Sequence, residues 1–194
     1  MDDANQWLAH LPSFVNKLIV RTVEKGETRK VSDRDGIAFH DWGYDVFRFD
    51  EARNHALSLV ETDWCIMLDI DERLQIFKSD IDFIESQPKE VAGLRVGLNC
   101  YNTTGIATYE PIRIMRKEVK YEYFAHETVD YWIKRNGFEV VQSPIMIRHD
   151  SYANKELIPS KLMRNYHLIL DNIEDNRDNR SDPKLIGDLY RTMM

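Results

Sequence analysis

The chain has 194 residues, with 26 Lys+Arg against 33 Asp+Glu, a formal charge of −7, 43% hydrophobic and 30% charged residues. That composition is too apolar for a disordered chain, and its acidic balance argues against non-specific nucleic-acid binding, which runs on Lys and Arg neutralising phosphates. No apolar run of about 18 residues is present to span a membrane, and the acidic start Met1-Asp2-Asp3 has no apolar leader, so the expectation is a cytoplasmic protein.

In chain order, Ala4 to Leu11 have helical spacing and stop at Pro12. Leu18 to Val23 reads as a short strand, Glu24 to Glu27 as a turn, and Gly36 to Phe39 as the start of another strand. Asp50 is the expected N-cap of a helix over 51–60, with Ala52, Ala56 and Val60 on one face. Trp64-Cys65-Ile66-Met67-Leu68 is an unbroken apolar run, as a strand buried on both faces reads. Ser79 or Asp80 caps a short helix to Glu85, which Pro88 ends.

Val91 to Arg116 predicts a β-hairpin turning at Asn102-Thr103-Thr104-Gly105, with further strands over 119–123 and 138–148. Leu162, Tyr166, Ile169 and Ile173 then mark an amphipathic helix. Residues 171–182 are polar and read as a solvated linker, and Asp182-Pro183 opens a last helix. The expected fold class is α/β, a mixed sheet flanked by helices, divided into a core over 1–153 and C-terminal helices over 154–194. Cys65 and Cys100 lie in apolar runs without metal-type spacing and read as reduced core thiols.

The chemistry concentrates in Trp64 to Leu74, WCIMLDIDERL, where a buried strand runs into Asp69-Ile70-Asp71-Glu72. Alternation along a strand puts Asp69 and Asp71 on one side. Carboxylates at the end of a strand in an open α/β sheet sit where such folds bind ligands, and two hard oxygen donors can hold Mg²⁺ or Mn²⁺ together with phosphate oxygens. A polar strand end with surface acids fits the same residues. Trp42, Tyr44, Phe47 and Phe49 fit either an aromatic wall over a ligand or a core cluster under a loop.

Four landmarks in order resemble family 2 glycosyltransferases of the GT-A fold: Ala52-Arg53-Asn54, Asp63-Trp64 through Asp69-Ile70-Asp71-Glu72, Arg113 to Arg116 followed by His126-Glu127, and His149 to Tyr152. The resemblance implies an inverting transfer of a sugar from a nucleotide-diphosphate sugar to an acceptor hydroxyl, dependent on Mn²⁺ or Mg²⁺. It implies Asp69, Asp71 and His149 as metal ligands, with Asp69 also near the nucleotide ribose. Glu127 becomes the general base, Arg53 and Asn54 line the nucleotide site, and Arg113 and Arg116 face the diphosphate.

The chain departs from that family where Leu18 to Val23 aligns with its second strand, leaving the first apparently missing, and where Arg21 stands at an expected Asp. Asp150-Ser151 also replaces the commoner x-Gly before Tyr152. A lost strand leaves backbone to be paired, which implies a homodimer or a strand supplied by another chain or segment. The alternative reading is a catalytically impaired GT-A-like binding or assembly module. A phosphotransferase or nuclease using the same acids lacks a glycine-rich phosphate loop.

Overall fold

The structure is a computed structural model. It describes residues 11, 15–26, 29–34, 37–69, 71–102, 105–149, 158–175, 182, 184 and 188. The helix expected over 4–11 therefore lies almost wholly outside the described residues, as does most of the last helix.

The chain is mixed α/β. β1 (Lys17–Glu24), β2 (Arg29–Arg34) and β3 (Ile37–Tyr44) form one sheet in the order β1-β3-β2, with β1 parallel and β2 antiparallel to β3. α1 (Phe49–Ser58) follows, then β4 (Trp64–Ile66), β5 (Glu72–Leu74) and α2 (Lys78–Glu85). The long β6 (Val91–Asn102), β7 (Gly105–Tyr109), β8 (Ile112–Arg116), α3 (Asp130–Arg135), β9 (Glu139–His149) and α4 (Ile158–Asp175) complete it. The second sheet has the order β4-β8-β6-β9-β5, with β7 paired to β6; only β6 and β9 run parallel. Among the described residues no helix is long and apolar enough to cross a membrane.

The second sheet is covered on both faces. Leu94, Val96, Leu98, Ile114, Ile145 and Ile147 pack with Ile84 of α2 on one side. Ile112 and Met115 pack with Leu57 of α1 and Ile133 of α3 on the other. Gly93 permits that second layer, since a Cβ there would lie 2.8 Å from Ile133 Cδ1 and 3.0 Å from Ile112 Cγ2.

β4 and β5 occupy opposite ends of this sheet's strand order, yet only residues 67–71 join them. Four flat strand spacings are about 19 Å, close to the roughly 20 Å that six extended residue steps could reach. Residues 69–72 form a turn instead, with the Glu72 N–H donating to Asp69 O at 3.0 Å. The sheet must therefore curl to bring its two edges together.

Several boundaries differ from expectation. The N-cap position of α1 is Arg48, and Asp50 lies in the first turn, where it accepts from the Arg48 guanidinium at 2.8 and 3.2 Å. α2 starts at Lys78, with Asp80 Oδ2 accepting from the Phe77 N–H at 2.8 Å. The strand expected over 119–123 is replaced by a loop with one bridge, Glu122 to Thr128. Tyr123 has φ 78°, which breaks the extended path.

The polar stretch beginning at Asp171 is not linker from its start, because α4 continues to Asp175. Asn172 is buried there and its Oδ1 accepts from the Phe124 N–H at 3.0 Å, while Leu168 and Ile169 pack on Phe124 and Ala125. Tertiary burial overrides polar composition at this turn of helix. Leu162, by contrast, is exposed. Asp182 Oδ1 accepts from the Lys184 N–H at 2.8 Å, the expected capping geometry.

Leu94 is fully buried at the centre of the second sheet. Leu94→Ala is expected to lower unfolding free energy by about 3 kcal/mol in urea titrations, against less than about 0.5 kcal/mol for Leu162→Ala.

Candidate functional site

The apolar run 64–68 builds a strand of three residues only. Pairing with β8 ends after the Met67 N–H donates to Arg113 O at 2.8 Å, and Asp69 and Asp71 lie in the turn beyond it. Strand alternation therefore does not relate the two carboxylates, because β4 ends at Ile66, before either of them. Glu72 closes the turn from inside: its Oε2 accepts from the Asp69 N–H at 2.9 Å while its own N–H donates to Asp69 O. Glu72 is fully buried and stands in register opposite His149 on β9.

Two guanidinium groups hold this turn. Arg53 of α1 donates through Nη2 to Asp69 Oδ1 at 2.8 Å and through Nε to Glu127. Arg113 of β8 donates to Asp69 Oδ2 at 3.2 Å and to Glu72 Oε1. Burial opposes charge on Arg53, but Glu127 and Asp69 more than offset it and its pKa rises. Burial likewise works against ionised Asp69, yet Arg53 and Arg113 outweigh it and hold that carboxyl below its ordinary value. At Glu72 burial wins over Arg113, and the carboxyl is pushed up.

On the other side of the turn Asp71 faces β9. His149 Nε2 lies 3.3 Å from Asp71 Oδ2, and His149 Nδ1 lies 3.4 Å from Cys100 Sγ on β6. Burial pushes the Cys100 thiol up, and the Cys65 thiol to about 12; both cysteines are free.

The expected metal ligands were Asp69, Asp71 and His149. Donors about 2.1–2.4 Å from an ion and at right angles lie roughly 3.0–3.4 Å apart, so the Asp71–His149 separation suits neighbouring ligands of one octahedral cation. Asp69 instead faces the two arginines, and among the described residues no group of three His, Cys, Asp or Glu is placed to hold a metal. Asp71 and His149 together offer one carboxylate and one imidazole, so a cation there would depend on water and ligand oxygens for its remaining positions.

The remaining expected site residues are distributed unevenly. Glu127 joins the cluster through Arg53, on a loop in which His126 has φ 53° and its carbonyl accepts from Lys184 Nζ at 2.9 Å. Asn54 lies next to Arg53 but binds backbone: its Nδ2 donates to Tyr121 O at 2.9 Å and its Oδ1 accepts from the Tyr121 N–H at 2.8 Å. Arg116 is not brought to the cluster. It caps the carbonyls of Gln87, Pro88 and Val91 and covers the Trp64 ring, because residues three apart on a strand face opposite ways. Arg21 pairs with Asp41 on the neighbouring strand at 2.7 and 2.9 Å.

The aromatic residues form a ladder of ring contacts. Trp42 stacks on Tyr44 at 5.6 Å and on His55 at 6.1 Å, and edge contacts continue through Phe47 to Phe49. Two fully buried polar atoms beside the arginine cluster, Arg113 Nε and the Tyr121 hydroxyl, have no hydrogen-bond partner among the described residues. They are suited to a buried water or a ligand atom.

Glu72, Cys100 and Tyr121 are the residues that sequence reasoning missed here. Glu72 adjoins the two aspartates, but its inward direction depends on the turn. Cys100 reads as a reduced core thiol, and Tyr121 falls within the strand expected over 119–123. The chain matches no protein-family model and no curated protein.

The depressed carboxyl of Asp69 makes a signed pH prediction. Its contribution is present above the ordinary value of 3.8 and is lost as pH falls through the lower folded value. Wild type is expected to exceed Asp69→Asn by on the order of 1 kcal/mol at pH 7, with the gap in urea unfolding closing below pH 3.8.

Proposed function

We propose that the protein is a metal-dependent, inverting glycosyltransferase of family 2 type. It would move a sugar from a nucleotide-diphosphate sugar to an acceptor hydroxyl on a GT-A-like sheet. The supporting observation is the meeting of Asp71 and His149, distant in sequence, at the spacing of adjacent cation ligands. It accompanies the ordered Ala52-Arg53-Asn54, Asp69-Ile70-Asp71-Glu72 and His126-Glu127 landmarks.

In this reading Asp71 and His149 would hold Mn²⁺ or Mg²⁺, and the ion would supply positive charge beside the diphosphate. Arg53 and Arg113 supply the nearby positive charge. Glu127, oriented by Arg53, accepts the proton of the acceptor hydroxyl. The acid-held arginines also mean that a diphosphate reaching them must compete with Asp69.

The test is thermal shift with uridine, guanosine and thymidine diphosphates plus Mn²⁺, followed by turnover of the matching nucleotide sugars. Loss of an outer-shell partner typically weakens metal sites 10–100-fold, so Asp71→Ala is expected to weaken Mn²⁺-dependent nucleotide binding by at least about 100-fold. Wild type showing neither metal-dependent binding nor turnover overturns the proposal.

A second reading, a GT-A-like binding or assembly module, is favoured by the pairing of both Asp69 and Glu127 with Arg53. Nucleotide binding without turnover across the panel would support it. For partners, we propose that the edge strand β4, whose one described ladder is with β8, accepts a strand from a second copy or another segment. Light scattering is expected to show a dimer, and a monomer at all concentrations removes the second copy.

A further inference from the structure

The loop that carries Glu127 is strained and held from two sides. A bridge between Glu122 and Thr128 closes its neck, with reciprocal N–H to carbonyl bonds of 3.0 and 3.1 Å. Inside the neck Tyr123 has φ 78° and His126 has φ 53°. Bulky residues rarely adopt that left-handed backbone, which persists only where surrounding contacts over-determine it.

α4 and residues 182, 184 and 188 supply such contacts. Asn172 is buried, and its Oδ1 accepts from the Phe124 N–H at 3.0 Å. Leu168 and Ile169 pack on Phe124 and Ala125. The Tyr123 hydroxyl donates to Asp182 Oδ2 at 2.8 Å, while Asp182 Oδ1 accepts from the Lys184 N–H. Lys184 Nζ reaches both left-handed residues, lying 4.3 Å from the Tyr123 ring centroid and donating to His126 O at 2.9 Å. Buried Asp188 pairs with the same ammonium. Glu127 follows His126 directly and accepts from Arg53 Nε of α1.

We propose that α4 and residues 182–188 form a clasp, in which Asn172 and Lys184 are positioning residues that set Glu127 against Arg53. Without these holds Tyr123 and His126 can relax to ordinary backbone, and rotation at His126 moves the residue that follows it. The consequence for catalysis rests on the reading of Glu127 as proton acceptor, while the clasp rests on the contacts themselves.

NMR of the full chain reads the pair directly through the Arg53 Nε–H signal, with Glu127→Ala marking its unpaired position. Lys184→Met keeps the stem and removes the donor, Lys184→Arg keeps a donor, and Asn172→Leu removes the acceptor at similar volume. In Lys184→Met and Asn172→Leu the Arg53 Nε–H is expected to exchange about tenfold faster and to move toward its unpaired position. The Thr128 amide, whose acceptor Glu122 O neither substitution touches, should follow it. Amides of the β6–β9 pair should keep wild-type rates, and Lys184→Arg should resemble wild type. In the proposed reaction both variants are expected to lose about tenfold in kcat at nearly unchanged KM for the sugar donor.

Wild-type exchange at Arg53 and Thr128 in both variants overturns the clasp. Acceleration spread equally over β6 and β9 also overturns it, because the segment then supports the fold as a whole. Equal effects of Lys184→Arg and Lys184→Met overturn the role of Lys184. A loosened Arg53–Glu127 pair with unchanged kcat overturns the catalytic consequence. A wild type without turnover overturns the reading of Glu127 as proton acceptor, and the exchange rates then decide the clasp alone.

Discussion

The arrangement around residues 67–72 depends on the placement of two guanidinium groups among three carboxylates. Asp69, Glu72 and Glu127 converge where sheet edge, helix and loop meet, and leaving the buried Glu72 and Glu127 without partners would cost several kcal/mol each. Arg53 ties Asp69 to Glu127, and Arg113 ties Asp69 to Glu72. Asp69 is thus shared between α1 and β8, and the short turn can close the curled sheet without leaving buried charge unpaired. The same network brings the loop holding Glu127 against α1, where Asn54 completes the docking through Tyr121 backbone.

The turn has two chemically different sides. Toward α1 Asp69 is paired with arginine; toward β9, Asp71 meets the His149 imidazole at 3.3 Å. In the proposed reading, a ligand bringing a divalent ion and phosphates would meet both sides. The price is competition, since phosphate oxygens and Asp69 seek the same guanidinium donors.

Much of the architecture was legible because it rests on local pattern. Val91 to Arg116 reads as paired strands from its turn residues at 102–105, and β6 and β7 meet across that turn. The helix after Asp50 and the helix through Tyr166 follow from periodicity, though their ends do not. Asp50 was displaced from the cap because Arg48, fixed over the Phe124 ring at 3.4 Å, starts the helix earlier. Residues 171–175 look like linker until Asn172 finds the Phe124 backbone. Arg116 illustrates a motif misread by direction: two arginines close in sequence leave a strand on opposite faces.

By itself the sequence determined the α/β class, the paired strands within 91–116, the helices after Asp50 and through Tyr166, and the acids that follow the apolar run, but not β5 or the helix over 130–135. These follow from hydrophobic periodicity and turn chemistry, which act over a few residues. The tertiary structure alone decided that the turn spans two sheet edges, that Glu72 points inward, and that Asp69 and Asp71 face different partners. It also decided that Cys100 meets His149. Those outcomes require a curled sheet and long-range register, and no local preference of a residue encodes which distant charge or ring will lie opposite it.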